Sequence, residues 1–296
     1  MISKNKVVVG IGEVLWDVFP ERKVLGGAPA NFACHVSRFG FEGHIISAVG
    51  RDQDGKEILD NLSANNLSNM IESVDFPTGI VDVIVSEEGI PTYKIIENVA
   101  WDNIPFSSQI ETVARQCDAV CFGSLAQRNE NSRQTIIRFL ENVSENAIII
   151  FDVNLRQHYY TKKIILDSLK RANILKLNED EIVILRKLFK WADIDESSIC
   201  KRLLEEYKLD LVILTKGING SCLFTPYESS FCKTPKVQVV DTVGAGDSFT
   251  AAIVSGLLLK KDIYTMHQFA VEVAAYVCTQ SGGMAEWPSS LLENYL

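Results

Sequence analysis

The sequence predicts an α/β fold in which a mostly parallel central sheet is covered by helices on both faces. Two observations carry that prediction. Apolar runs rich in Val and Ile recur at residues 7–11, 45–49, 119–122, 147–151, 174–177 and 211–215, too continuous for strands with one wet face. Helix-like segments separate many of them, and such alternation marks parallel strands joined by crossover helices. With 296 residues, 47% of them hydrophobic, the chain can form one large domain around a substantial core. Ligands of such open sheets bind beyond the carboxyl ends of the strands, so the residues after each run are the ones to examine.

The first run leads to Asp17 in GEVLWD, a position that a loop carboxylate also fits. GGAPANFACHVSRFG at 26–40 follows, with Pro29 suited to the first helical position and Gly40 to the position after the last turn, which predicts a helix over 29–39. Gly27 lets the backbone approach a ligand and Asn31 offers both a donor and an acceptor to a hydroxyl. A flexible loop with a solvent-facing Asn fits the same residues.

The interval 76–104 breaks the alternation. IVDVIVS and TYKIIEN form a hairpin pattern around Glu88-Gly89 with no helix after either strand. This is a β appendage inserted into the main domain, and its apolar positions call for a cleft, a partner subunit or both to cover them. Tyr93 and Trp101 lie on it, placed either to close over a ligand or to pack.

Later motifs each allow two local readings. FDVNLR at 151–156 puts Asp152, Asn154 and Arg156 on alternate positions, where period two aims them at one face or a solvated loop holds them. Asn178 followed by Glu181 is a capping-box pattern. LTKGINGSCLF at 214–224 runs from a strand into Asn219-Gly220, a hairpin signal. In VQVVDTVGAGDSF, Val237, Val239 and Val240 favour a strand and the residues from Phe249 onward recur at helical spacing. Gly244, Ala245 and Gly246 then sit on a strand-to-helix turn, where unpaired N–H groups and small residues suit an anion. Asp247 as a simple helix cap fits equally well on local grounds.

Composition excludes several classes. A net charge of −9 with no dense Lys/Arg run argues against a nucleic-acid partner. No apolar stretch approaches 18 residues and the N-terminal run is too short for a signal peptide, so no membrane partner and a cytoplasmic location are expected. Seven cysteines without C-x-x-C suit reduced thiols, and four histidines without zinc-ligand spacing predict no structural metal. Neither G-x-G-x-x-G nor a P-loop is present.

Taken in order, GGAPAN, GRDQDG at 50–55, N-x-x-E at 178–181, TKG at 215–217 and DTVGAGDSFTAAI at 241–253 resemble the ribokinase-like, or PfkB, carbohydrate kinase family over essentially the whole chain. GE-x-x-x-D and FDVNLR make the pattern most similar to fructokinases. The resemblance implies a single kinase domain over 1–296, an α/β/α sandwich with a small β-sheet lid formed mainly by 76–104 with a contribution from about 13–25, and ATP-dependent phosphorylation of a sugar hydroxyl.

It implies roles as well. Asp247 matches the catalytic base, and Gly244, Ala245 and Gly246 the anion hole. Asp17, Gly27, Asn31 and Arg156 match substrate-binding positions; Asn178, Thr215, Lys216 and Gly217 fall on the nucleotide side. Glu181 matches the residue that organises Mg²⁺ through water, and Asp241, Val243 and Ser281 a monovalent-cation site for K⁺. Val271 stands where many relatives carry an Asn near the adenine, leaving nucleotide preference open. The resemblance leaves other acceptors open, including 2-keto-3-deoxygluconate and nucleosides, as well as a sugar-binding regulator on a kinase fold. The apolar lid hairpin predicts a homodimer formed through the lid.

Overall fold

Val7–Ile11 (β1) shows how the layers arise. Val7, Val9 and Ile11 pack into one hydrophobic cluster and Val8 into another on the opposite side, as the two-residue alternation of a strand requires. Both sides are buried, so every position of the strand is apolar or glycine. The computed structural model describes residues 6–65, 67–85, 91–192, 194–288, 292 and 295.

The next strands along the chain are Leu15–Val18 (β2), Lys23–Gly26 (β3), Glu42–Gly50 (β4), Ser68–Val74 (β5), Ile80–Val85 (β6) and Pro91–Ile95 (β7). Cys117–Gly123 (β8), Ile148–Asp152 (β9), Ile174–Asn178 (β10), Leu211–Thr215 (β11), Ser221–Phe224 (β12) and Ser229–Cys232 (β13) follow. One sheet has the order β13-β12-β11-β10-β9-β8-β1-β4-β5 and a second the order β3-β2-β6-β7. All six predicted runs are strands of the large sheet, parallel to their neighbours except at the β11–β12–β13 edge.

The helices are Ala28–Arg38 (α1), Gln53–Ala64 (α2), Ser108–Gln116 (α3), Glu130–Asn142 (α4) and Lys162–Leu169 (α5). They continue with Glu179–Phe189 (α6), Glu196–Tyr207 (α7), Ala245–Leu258 (α8) and Ile263–Val277 (α9). Residues of α3 to α7 fill the cluster on one face of the sheet, whereas α1, α8 and α9 fill the other, with α2 packing beside α1. The result is a three-layer α/β/α architecture with a separate small sheet.

The small sheet joins two distant segments, β2–β3 and the β6–β7 hairpin, through parallel pairing of β2 with β6. The hairpin turn at Glu88-Gly89 lies outside the described residues. Lys23 on β3 reaches Asp54 of α2 at 2.7 Å, and the Gln157 amide donates to the Tyr93 carbonyl at 2.7 Å, fastening the small sheet to the body. After β7 the chain soon rejoins the main domain: Val99, Ala100, Trp101 and Ile104 are buried in its core. The excursion is therefore shorter than 76–104, and Trp101 packs beneath Arg128, 4.0 Å from its ring centre, instead of closing over the cleft. Tyr93 stays half exposed on β7.

The strand expected at Val237–Val240 does not form. Val237, Val239 and Val240 are 37, 58 and 63% exposed on an extended segment outside both sheets. β-Branched residues favour a pleated surface with neighbours to pack against, and here Val240 N donates to the Cys278 carbonyl at 2.8 Å instead of to a strand. The Asn219-Gly220 hairpin does form, but through a 3₁₀ turn at Gly217–Asn219 and not a two-residue turn.

Candidate active site

Residues at the carboxyl ends of β1, β8 and β9 line one void with Asp247 of α8, and Lys176 of β10 lies behind Gly246. Gly244 caps that helix with φ +77, and Ala245, Gly246 and Asp247 form its first turn, with no side-chain cap. The conformation at Gly244 is closed to a side chain for a second reason: a methyl there would meet the Gly283 Cα at 2.5 Å. The N–H groups at a helix start lack intrahelical partners; that of Ala245 makes a long turn bond to the Thr242 carbonyl at 3.3 Å, and the turn presents the positive end of the helix dipole to an anion.

Asp247 does not serve as the cap. Its Oδ2 accepts from the Asn31 Nδ2 at 2.8 Å, joining the first turns of α8 and α1. Burial pushes the Asp247 carboxyl up to about 6, aided by the Asp152 carboxylate and opposed by the Asn31 hydrogen bond, Lys176 and Arg156. Near neutral pH it is ionised yet close to its midpoint, a suitable condition for accepting a hydroxyl proton.

On the sugar side of the predicted site, Gly27 has φ +112, where a methyl would strike the Glu13 carbonyl at 2.4 Å. This fold-back brings the start of α1 against the end of β1. Asp17 on β2 projects from the small sheet, and burial raises its carboxyl to about 6 against the pull of Arg156. Arg156 is exposed, and its charge also lowers the Glu13 and Asp247 carboxyls. The Arg156 charge thus acts on Asp17, Glu13 and Asp247, and Asn31 is bonded to Asp247. Of the two readings of 151–156, strand alternation stops because β9 ends at Asp152 and Asn154 turns to φ +41, and a solvated loop holds only for the exposed Arg156, since Asp152 and Asn154 are buried.

Of the residues expected on the nucleotide side, two meet through strand register. Asn178 pairs with Thr215 across β10 and β11, and the capping box is fully made: Asn178 Oδ1 accepts from the Asp180 and Glu181 N–H groups, and Glu181 Oε2 from the Asn178 N–H at 2.8 Å. The other oxygen of Glu181 accepts from Leu155 N at 2.9 Å. Burial raises the Glu181 carboxyl, opposed by Lys176. Lys216 extends to Glu196 of α7 at 2.8 Å, and Gly217, at φ +49, accepts from the Thr234 hydroxyl at 2.5 Å.

Asp241 links two loops. Its oxygens accept from Val243 N at 3.0 Å and Gly282 N at 3.1 Å, setting the 241–243 segment beside the Ser281-Gly282-Gly283 turn. Val271 is buried on α9 among the apolar residues of that layer.

Sequence reasoning gave no role to Glu13 or Lys176, and raised Asp152 only within the FDVNLR alternation. Glu13 is buried with Oε2 unpartnered, and burial pushes it up to about 7. Asp152 and Lys176 form a buried ion pair at 3.0 Å. Glu13, Asp152, Asn154 and Asp247 all line one void of about 10 Å³, room for about one water. Lys176 had a signal: a lone cation inside the apolar strand ILKLN is costly unless paired.

Comparison with known proteins gives the family. Residues 10–290 match the pfkB family carbohydrate kinase model, and the chain belongs to that family. A crystal structure of an uncharacterized sugar kinase from Pyrococcus horikoshii superposes with a TM-score of 0.83 at 28% identity, covering 98% of this chain and 97% of that one. The same protein has been solved in complex with ATP, with a TM-score of 0.79. Probable fructokinase-6, chloroplastic, of Arabidopsis thaliana is 30% identical over 86% of this chain and 71% of its own. Fructokinase of Salmonella typhimurium is 28% identical over 86 and 85%. The chain is a sugar kinase: an ATP-binding phosphotransferase whose acceptor is a sugar hydroxyl.

Proposed function

We propose that this kinase phosphorylates fructose, with Asp247 as the base and the N–H groups of Gly244, Ala245 and Gly246 receiving the transferring phosphoryl group. The carrying observation is the pairing of Asn31 with Asp247 on the first turn of α8. It puts a proton acceptor beside backbone donors, and phosphoryl transfer needs little more than in-line positioning, charge stabilisation and a proton acceptor. Asp17, Gly27, Asn31 and Arg156 hold the sugar in this reading. Fructose is favoured by the fructokinases among the relatives and by the GE-x-x-x-D and FDVNLR motifs.

ATP lies, in this reading, along Asn178, Thr215, Lys216 and Gly217. Mg²⁺ fits the same corner through Glu181, whose two oxygens each retain a lone pair after accepting one N–H. Among the described residues no cluster of three or more His, Cys, Asp or Glu side chains is placed to hold a metal. That donor set suits an ion held mostly by water and phosphate oxygens. When bound, Mg²⁺ would offset phosphate charge. We assign K⁺ to the loops joined by Asp241, with Val243 and Ser281 beside it. The small sheet acts as the lid of the single domain and, through its apolar hairpin, as the homodimer interface; a monomer in light scattering at micromolar concentration would remove the dimer from the proposal. An ATP-dependent kinase with only free cysteines among the described residues suits the reducing cytoplasm.

The test is ATP consumption across a panel of fructose, other hexoses, 2-keto-3-deoxygluconate and nucleosides, with Asp247→Asn as control. Fructose should give the highest kcat/KM, and Asp247→Asn should lower kcat about 10²–10⁴-fold with sugar binding kept. Preference for another acceptor would overturn the fructose assignment. Sugar binding without turnover by the wild type would make the chain a regulator.

A further inference from the structure

The ion pair under α8 has no part in the reading above. Strand parity sends Lys176 to the α8 side: Ile174 and Ile150, two residues before Lys176 and Asp152, both pack into the cluster of α1, α8 and α9. Lys176 and Asp152 are register partners across β9 and β10, and Lys176 Nζ donates to Asp152 Oδ1 at 3.0 Å. The two residues are only 7 and 4% exposed. A methyl placed on Gly246 would lie 3.2 Å from that ammonium, so the cation sits directly behind the first turn of α8. The positive end of a helix dipole disfavours a cation, and replacing a buried ion pair by apolar residues often stabilises a protein. The location therefore asks for a role beyond stability.

The charges around it supply one. Burial acts to lower the Lys176 ammonium, but the carboxylates of Asp152, Glu181 and Asp247 outweigh it and hold the group charged. Asp247 in turn is faced by Asp152, Lys176, Arg156, Glu13 and the Cys121 thiol. Among these, Asp152 and Lys176 bear on it with opposite sign.

We infer that Lys176, held by Asp152 behind Gly246, is a positioning residue that acts through Asp247, as the counter-cation that keeps the base ionised before the sugar hydroxyl arrives. This rests on the assignment of Asp247 as base. Asp152 sets how strongly the ammonium acts, because it takes one of its three donors and opposes its charge.

The experiment is the pH profile of kcat/KM for the sugar in the full-length protein, with folding checked by circular dichroism and ATP binding by calorimetry. Lys176→Met should move the acid limb up by about one pH unit, and Asp152→Asn should move it down by about as much. The double variant should return towards the wild type, and Glu13→Gln should leave a limb in place. A purely structural pair would lower the rate without opposite movements. Unmoved limbs in both single variants would overturn the inference, as would a limb abolished by Glu13→Gln. A folded, ATP-binding Lys176→Met with kcat reduced equally at all pH values would also overturn it, placing the ammonium on the phosphate instead. If Lys176→Met does not fold, Asp152→Asn alone decides, and a limb that stays or rises refutes the role. Separately, undiminished turnover in Asp247→Asn would sink the base assignment itself, whatever the Lys176 variants do.

Discussion

The Asn31 amide donates to the Asp247 carboxylate at 2.8 Å across 216 positions of sequence. The contact joins two helix N-termini and favours the ionised form of Asp247 against burial and Asp152. Replacing Asn31 by Leu removes that donor, so the Asp247 carboxyl should rise above about 6. Activity needs the ionised base and disappears as pH falls through its pKa. Asn31→Leu should therefore lower kcat/KM about twofold to tenfold at neutral pH through the base, with a larger deficit at pH 6 than at pH 8. Equal deficits at both pH values would show that the amide does not tune the base.

Gly244 tests the anion site. Alanine there must hold φ +77 and place its methyl 2.5 Å from the Gly283 Cα. The strain is about 1–3 kcal/mol, and relief requires the first turn of α8 to move. Gly244→Ala should lower Tm by several degrees and kcat at least tenfold. A variant with unchanged kcat would dissociate the turn from catalysis.

Glu181→Gln keeps a side chain of the same shape but removes its charge. One capping-box acceptor survives, so stability should change by no more than about 1 kcal/mol. The Mg²⁺ concentration needed for half-maximal rate, and KM for ATP, should rise about tenfold. An Mg²⁺ titration superimposable on the wild type would remove Glu181 from the metal's surroundings.

Glu13 predicts a pH-dependent stability. Its carboxyl titrates at about 7 in the folded protein against 4.5 as a free side chain, so the folded state binds more protons between those values. Stability from this group is full below 4.5 and falls as pH rises through 7, by about 3 kcal/mol in all. Glu13→Gln should thus raise Tm relative to the wild type at pH 8, with the difference shrinking at pH 5. Scanning calorimetry at the two pH values measures this, and a constant difference would contradict it.

Much of the molecule was legible in the sequence because its signals are local. The Val/Ile runs, Pro29 and Gly40 around α1, and the Asn178–Glu181 box each follow from short-range geometry and were read correctly. The order of the family's motifs marked Asp17, Asn31, Arg156 and Asp247 as one set, and the fold places Asn31 against Asp247. The tertiary structure alone decided the rest. Val237–Val240 had strand propensity but no strand beside it, and Trp101 joined the core instead of the lid. Lys176, Asp152 and Glu13 acquire meaning only where strand register and the α8 terminus bring charges from separate segments into one desolvated space. Propensity belongs to a few neighbouring residues, whereas Coulomb energy depends on distance through space, and that distance exists only after the chain has folded.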